Sequence, residues 1–380
     1  MCIRDSLREC LSSGAIGLST SFVDVDETLA PVPSRYADQR ELNALCEVLS
    51  ESNKMLQVVH EFFDADVTIA RVDQLADISL RHKIPTTLSP LFVNTENDPG
   101  VKRVMERVKE QFKRGARVWP QVQTRPIDIS FCFEVPSLLF IRLPSWYKIM
   151  RFGSHSEIME EFKDENRRAK LVKEAAMLGP FWSSITLRQV NSEENKEFLG
   201  MSLDEIATKR ETTPVDAMID LSLEENLQAH FLAENMGHTD NEMIGALMSD
   251  PHVHIGASDG GAHILSFSTY GDTGYLFSQF VRNSHAITLE DAVKKITLDT
   301  ASIWGMKERG CLKKGFLADI TIFEEDRIDR GHEYYTDDVP GDGHRYIRDA
   351  IGIDTVIIGG SIAYRKGAYT NAKTGNIVSV

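Results

Sequence analysis

The residues whose types and spacing best suit chemistry are Asp259 and His263, in the stretch Ile255-Gly-Ala-Ser-Asp-Gly-Gly-Ala-His263. A carboxylate can act as a general acid or base toward a reacting group. Gly260 and Gly261 let the backbone turn sharply and come close to a ligand. Upstream, Val253, Ile255 and Ala257 alternate with His252, His254 and Gly256, so the run reads as a strand and Asp259 continues its apolar set. If that set fills a barrel interior, Asp259 is the next inward-pointing side chain at the strand's C-terminal end, where catalytic residues of βα barrels sit. The alternative is an Asp-Gly turn with a solvated acid. His263 could orient a substrate or bind a developing oxyanion, or it could simply bond to backbone.

Two further side chains follow strand-like runs. His60 ends Met55 to His60 and is expected either to line a substrate cavity at the same mouth or to be a partly exposed strand-end histidine. Arg125 follows Arg117 to Gln123, and a guanidinium there could clamp a substrate carboxylate by two parallel hydrogen bonds, the alternative being a solvent-facing loop arginine. His252-Val-His254 has the spacing of a metal chelate. It precedes Asp259 by roughly 16 Å of extended strand, and its parity points toward covering helices, so both imidazoles read as structural.

The elements that must position these groups alternate along the chain. Helical spacing over Ala37 to Glu51, Val67 to His82 and Val101 to Lys113 alternates with the strands Met55 to His60, Ile84 to Leu91 and Arg117 to Gln123. The alternation lapses from Phe131 to Leu178, where Phe140, Trp146, Tyr147 and Phe152 suggest an inserted excursion, either a lid or a packing cluster, followed by a charged helix from Ser156 with a solvated face. Ser202-Leu-Asp-Glu205, Thr213-Pro214, Thr239-Asp-Asn-Glu242 and Thr288-Leu-Glu-Asp291 are helix-start signatures. After Gly310 the pattern changes to strands, with Ile353 to Ile358 and Ser361 to Arg365 joined as a hairpin at Gly359-Gly360.

Four ordered blocks, Gly256-Ala-Ser-Asp-Gly-Gly-Ala-His263, Thr288-Leu-Glu-Asp-Ala-Val293, Thr300-Ala-Ser-Ile-Trp-Gly305 and Lys314-Gly-Phe-Leu-Ala-Asp-Ile-Thr-Ile-Phe323, resemble the C-terminal part of metal-dependent amidohydrolases, in the branch of the N-acyl-D-amino-acid deacylases. The likeness extends upstream through Gly14-Ala-Ile-Gly-Leu-Ser-Thr-Ser21, Trp119-Pro-Gln-Val122 with Arg125-Pro126, and Gly200 to Ala207. The resemblance implies an α/β fold: an incomplete TIM-like (β/α) barrel over residues 1–310, then the C-terminal part of a small β-sandwich over 311–380. It implies a hydrolase of carbon–nitrogen bonds in linear amides, with zinc-activated water, with Asp259 as catalytic and metal-binding residue, and with His60, Arg125 and His263 contacting an acylated amino acid.

The chain departs from the family in two places. Where the family carries a Ser-His zinc ligand this chain reads Leu88-Ser-Pro-Leu91, and proline offers no side-chain donor. The family's first barrel strand, with a His-x-His or His-x-Asp motif, does not precede Gly14, and Met1 to Ser6 reads like a translated adaptor. An N-terminally truncated form is therefore expected, and the alternative function is a catalytically inactive small-ligand-binding barrel or an inert fragment.

Composition sets outer limits. The 380 residues carry 42% hydrophobic side chains, enough for a substantial core, and a formal net charge of -15 that argues against nucleic-acid or anionic-membrane partners. No apolar run reaches membrane-spanning length, no signal peptide is readable, and five scattered cysteines suggest reduced thiols in a cytoplasmic protein.

Overall fold

A computed structural model of the chain describes residues 3–24, 26, 30–62, 64–135, 137–140, 142–256, 271–341, 343–378 and 380. After α1 (Ile3–Ser12), the strands β1 (Gly17–Ser21), β2 (Met55–Val59), β3 (Thr86–Ser89) and β4 (Val118–Val122) alternate with α2 (Gln39–Ser50), α3 (Ala65–His82) and α4 (Pro99–Lys113). Each of these three helices starts on an aspartate. Asp38, Asp64 and Asp98 accept from the first free backbone N–H groups of α2, α3 and α4, and Pro99 sets the first turn of α4.

The insertion follows as β5 (Ile129–Phe131), α5 (Pro144–Phe152), α6 (His155–Lys163), α7 (Glu165–Ala175), β6 (Thr186–Gln189), α8 (Leu203–Arg210), α9 (Pro214–Glu224) and β7 (His230–Ala233). The chain then returns through α10 (Asn241–Ser249) to β8 (His254–Ile255). Next come α11 (Asp272–Tyr275), α12 (Leu289–Lys294) and α13 (Thr300–Ile303), each continuous with π-helical turns. The tail holds β9 (Ile320–Phe323), β10 (Asp329–Val339), β11 (Gly343–Ile351), β12 (Ile353–Ile358), β13 (Ser361–Arg365) and β14 (Ala368–Tyr369).

The first sheet is wholly parallel, in the order β1-β2-β3-β4-β8, so the described residues supply five adjacent strands of a TIM-like (β/α) barrel. Side chains paired across a parallel ladder point the same way, which divides the sheet into two faces. Leu56, Val58, Leu88, Val118 and Val122 share one apolar core with Leu49, Val72, Leu75 and Val108 of the helices. The other face carries a polar row at Ser19, Gln57 and Thr87, with Gln121 one step along β4. Ser19 donates to Gln57, the Gln121 amide donates to Thr87 Oγ1 at 3.0 Å, and Thr87 donates to the Trp119 carbonyl at 2.7 Å.

The excursion beyond Phe131 is a packed unit with its own core. Phe131, Phe133, Phe140, Trp146, Phe162, Trp182 and Phe231 are buried together, and both indoles are satisfied by backbone carbonyls of Leu171 and Ala175. The charged helix expected from Ser156 is two helices, because Asp164 ends α6 and caps α7. Its apolar stripe of Ile158, Phe162, Leu171 and Ala175 is buried in this core. The strands β5-β7-β6 form an antiparallel sheet that the sequence pattern did not reveal.

The tail is antiparallel throughout, a four-stranded sheet β14-β13-β12-β9 and a separate hairpin β10-β11, with the expected turn at Gly359-Gly360. No helix among the described residues is long and apolar enough to cross a membrane.

Candidate active site

The C-terminal ends of the parallel strands lie at one edge, where Ser21, His60, Ser89, Gln123 and Gly256 end or follow their strands. Asp259 and His263 lie outside the described residues. The strand leading to them is described, and it changes one premise. Ile255 pairs with Val122 on the helix-packed face, whereas His254 pairs with Gln121 on the polar face. The apolar set of β8 therefore covers the helices and does not fill the interior, so strand alternation gives Asp259 no inward direction.

His60 is buried on the same face as Leu56 and Val58. Its Nε2 lies 3.0 Å from the Pro90 carbonyl, which can only accept, so Nε2 carries the proton and Nδ1 holds a lone pair with no hydrogen-bond partner. Burial lowers its pKa and keeps the ring neutral. The ring borders a cavity of about 290 Å³ between the N-termini of α3 and α4, walled by Phe62, Leu91, Phe92 and Val104. This cavity opens into the helix layer, on the side of the sheet away from Gln57 and Gln121.

Arg125 is committed to a partner. Its Nε lies 2.6 Å from the Asp272 carboxylate, both side chains are nearly inaccessible, and Thr124 donates to the Asp272 carbonyl at 2.9 Å. The pair ties the end of β4 to the first turn of α11. A few residues on, Asp128 accepts from the Asn235 amide at 3.1 Å and lies 3.4 Å from Arg330 and 3.5 Å from Arg348, which in turn lies 3.4 Å from Glu333. Three arginines and three carboxylates are thus buried or nearly so in one balanced cluster, which disfavours any unpaired charge. Of these six residues only Arg125 stands out in the sequence; the other five become neighbours only through long-range folding.

His238 also escaped sequence reasoning, since only its place after Gly237 marks it. It is fully enclosed: Nδ1 accepts from the Val93 amide at 3.1 Å and Nε2 donates to the Gln123 carbonyl at 2.9 Å. Burial pushes its pKa down to about 4, so it is a neutral tie between the segments after β3 and β4. His252 bonds Asp250 at 2.8 Å and packs on Phe112 of α4, while His254 accepts from Trp304 at 3.3 Å. Both are bound to surrounding structure.

Metal binding can be tested against these donors. Among the described residues no three His, Cys, Asp or Glu side chains are grouped to hold a metal ion. His60 Nδ1 is an open donor, but the adjacent strand offers Pro90, whose carbonyl is already bonded to His60. The described residues alone do not fit a metal centre.

Residues 186–364 match the model of the amidohydrolase family. The fold is similar to the crystal structure of D-aminoacylase, at TM-score 0.58 and 17% identity, covering 99% of this chain and 66% of that one. It is also similar to N-acyl-D-glutamate deacylase from Bordetella bronchiseptica, solved with zinc and a phosphonate inhibitor, at TM-score 0.56 and 20% identity, covering 96% of this chain and 63% of that one. An uncharacterized protein of Mycobacterium bovis is 23% identical over 404 residues, covering 96% of this chain. The chain spans 62% of the length of that relative.

Proposed function

We propose that this chain, whose residues 186–364 match the amidohydrolase family model and whose fold is similar to those of D-aminoacylase and N-acyl-D-glutamate deacylase, is an amidohydrolase-type hydrolase of the carbon–nitrogen bond in a linear amide of the N-acyl-amino-acid class. The observation that carries this reading is the shared edge of five parallel strands, with a hydrogen-bonded polar face, and β8, which precedes Ser258-Asp-Gly260 in the sequence. Residues up to about 310 form the barrel part in this reading, and 311–380 form the appended β part.

Asp259 takes a proton from water as the water oxygen bonds to the acyl carbon, and returns that proton to the nitrogen as the carbon–nitrogen bond breaks. His263 orients the acyl oxygen. His60 borders the lateral cavity, and Arg125 is held by Asp272. A divalent metal, zinc in the resembling enzymes, belongs to the family expectation. Among the described residues no donor set for it is assembled.

The second reading, a barrel that binds an acylated amino acid without hydrolysing it, is favoured by Pro90 at the position of an expected ligand. The experiment is to incubate the purified chain with N-acetyl-D-amino acids, with and without added zinc or cobalt, measuring free amino acid, bound metal and ligand binding. Release that disappears in Asp259→Asn supports hydrolysis; binding without release supports the second reading; neither binding nor release sinks both.

A further inference from the structure

The hairpin β10-β11 is attached to the rest of the molecule in an unusual way. The sheet β5-β7-β6 has two faces. Ile129, Phe131, Phe133 and Phe231 point into the insertion core, and Asp128, Ser130, Cys132 and His230, with the buried Leu232, alternate with them on the opposite face. The hairpin covers that polar face with its own alternating set, Glu333 and Tyr335 on β10, opposite Arg348 and Tyr346 on β11. Glu333 accepts from Ser130, Tyr346 is hydrogen-bonded to His230, and the Tyr335 ring lies 4.0 Å from the His230 ring. No described residue of 329–351 belongs to either apolar core cluster.

The two ends of the hairpin are fixed. Ile328 is buried in the core beneath the parallel sheet, and Gly352 adopts φ +75° with its α-carbon so close to Ile328 that a Cβ would lie 2.5 Å from the Ile328 nitrogen. Arg330, just above this pivot, stacks on Tyr275 at 4.5 Å. The hairpin is thus pinned at its base and held along its length by polar contacts. Separating these contacts uncovers Leu232 and the Tyr335 and Tyr346 rings but opens neither apolar core, so they can part at less cost than a core would demand.

We propose that residues 329–351 form a strap that lifts from the β5-β7-β6 sheet as one unit when His230 becomes protonated, uncovering Asp128, Ser130 and Cys132. The charged and titratable groups around His230 make this a charge argument. Asp128 and Glu333 balance Arg330 and Arg348, Arg125 is matched by Asp272, and Tyr346, Tyr335 and Cys132 are neutral. Glu134, near Tyr335 and Cys132, accepts from Gln228 at 3.0 Å, so an imidazolium at His230 meets only carboxylates that already have partners. His344 is stacked on Tyr335 at 5.3 Å. Burial and His344 both act to hold His230 neutral while the strap is down.

The test uses the whole chain and an aromatic disulfide reagent that reacts with thiols in acid, with each cysteine quantified by mass spectrometry. Cys311 is exposed and serves as the reference, Cys132 lies under the strap, and Cys46 is buried in the other core. The expected result is that the Cys132-to-Cys311 labelling ratio rises at least about tenfold between about pH 7.5 and about pH 5 while Cys46 stays protected. His230→Gln should abolish that rise, and Tyr346→Phe should raise the ratio already near neutrality. Cys132 and Cys46 opening together, or an unchanged pH response in a folded His230→Gln variant, would overturn the proposal. If His230→Gln does not fold, a Tyr346→Phe ratio equal to wild type overturns it.

Discussion

In the parallel sheet the face turned from the helices carries Ser19, Gln57, Thr87 and Gln121, bonded to one another; in the antiparallel sheet the polar face carries Asp128, Ser130, Cys132 and His230, bonded to a distant hairpin through Ser130–Glu333 and His230–Tyr346. Amides and hydroxyls both donate and accept, so neighbouring strands can satisfy them and the face needs no cover. A carboxylate and an imidazole cannot satisfy one another across these strands, and Asp128 needs arginines from elsewhere. The difference lets the parallel sheet satisfy its polar row locally, with Thr87 and Gln121 buried and Ser19 exposed, while the other sheet recruits Arg330 and Arg348.

The largest effect should come from acid and should fall on both regions, since His230 lies on the antiparallel sheet and His238 and His254 beside the parallel one. His230, His238 and His254 are all buried, with pKa values pushed from 6.5 down to about 4 by burial. The folded state therefore binds fewer protons than the unfolded chain between these values. The stability is fully present above pH 6.5 and is lost as pH falls from there toward 4, by at most about 3 kcal/mol per site. Denaturant titrations across this range should show falling midpoints, and a flat profile would mean these rings are solvated.

Phe131→Ala should destabilise the insertion by about 3–5 kcal/mol, because the ring is fully buried against Phe133, Phe140 and Phe231. Trp146 and Trp182 report that core, whereas Trp119 and Trp304 report the parallel sheet's surroundings. Fluorescence should lose its cooperative match with circular dichroism if the two cores unfold separately, and keep it if they are one unit. Asp128→Asn should cost about 3 kcal/mol, since it leaves Arg330 and Arg348 buried with one carboxylate fewer. Replacing Glu333 and Arg348 together by Leu and Met should cost less than Arg348→Met alone; the opposite order would show that the charges act independently.

How much of this was legible in the sequence follows from what each feature depends on. The parallel strands and α2 to α4 follow from local periodicity, and their ends moved by only a few residues from the expected ones. The hairpin β10-β11 stayed hidden because its inward residues, Glu333, Tyr335, Tyr346 and Arg348, are polar or amphipathic, so no apolar alternation marks them. His60 was expected at the mouth on strand-end position alone, which cannot tell the helix side of a sheet from its interior. For Arg125 the sequence offers a substrate clamp or a solvent-facing loop arginine, and nothing local announces its partner Asp272. The family blocks around Asp259 were legible for a different reason, since they rest on resemblance and not on periodicity.

The smallest expected effect tests helix starts in the two regions. In the insertion, Ser202 accepts from the Glu205 amide while the Glu205 carboxylate accepts from the Ser202 amide, the reciprocal cap expected from Ser202-Leu-Asp-Glu205. Beside the parallel sheet, the signature Thr239-Asp-Asn-Glu242 pointed to Thr239, but Asp240 caps α10, accepting from the Met243 amide at 3.0 Å. Asp240 also accepts from Asn97 at 2.8 Å, so the cap ties α10 to the segment before α4, and these amides hold its pKa below the usual carboxylate range. Ser202→Ala and Asp240→Ala should each cost about 1 kcal/mol, and Thr239→Ala only a few tenths. The Asp240 contribution should also vanish as the carboxylate protonates in acid, whereas the Ser202 hydroxyl keeps its bond, so the cost of Asp240→Ala should shrink at low pH while that of Ser202→Ala changes less. Equal costs for Thr239→Ala and Asp240→Ala would return the cap to the residue the sequence suggested.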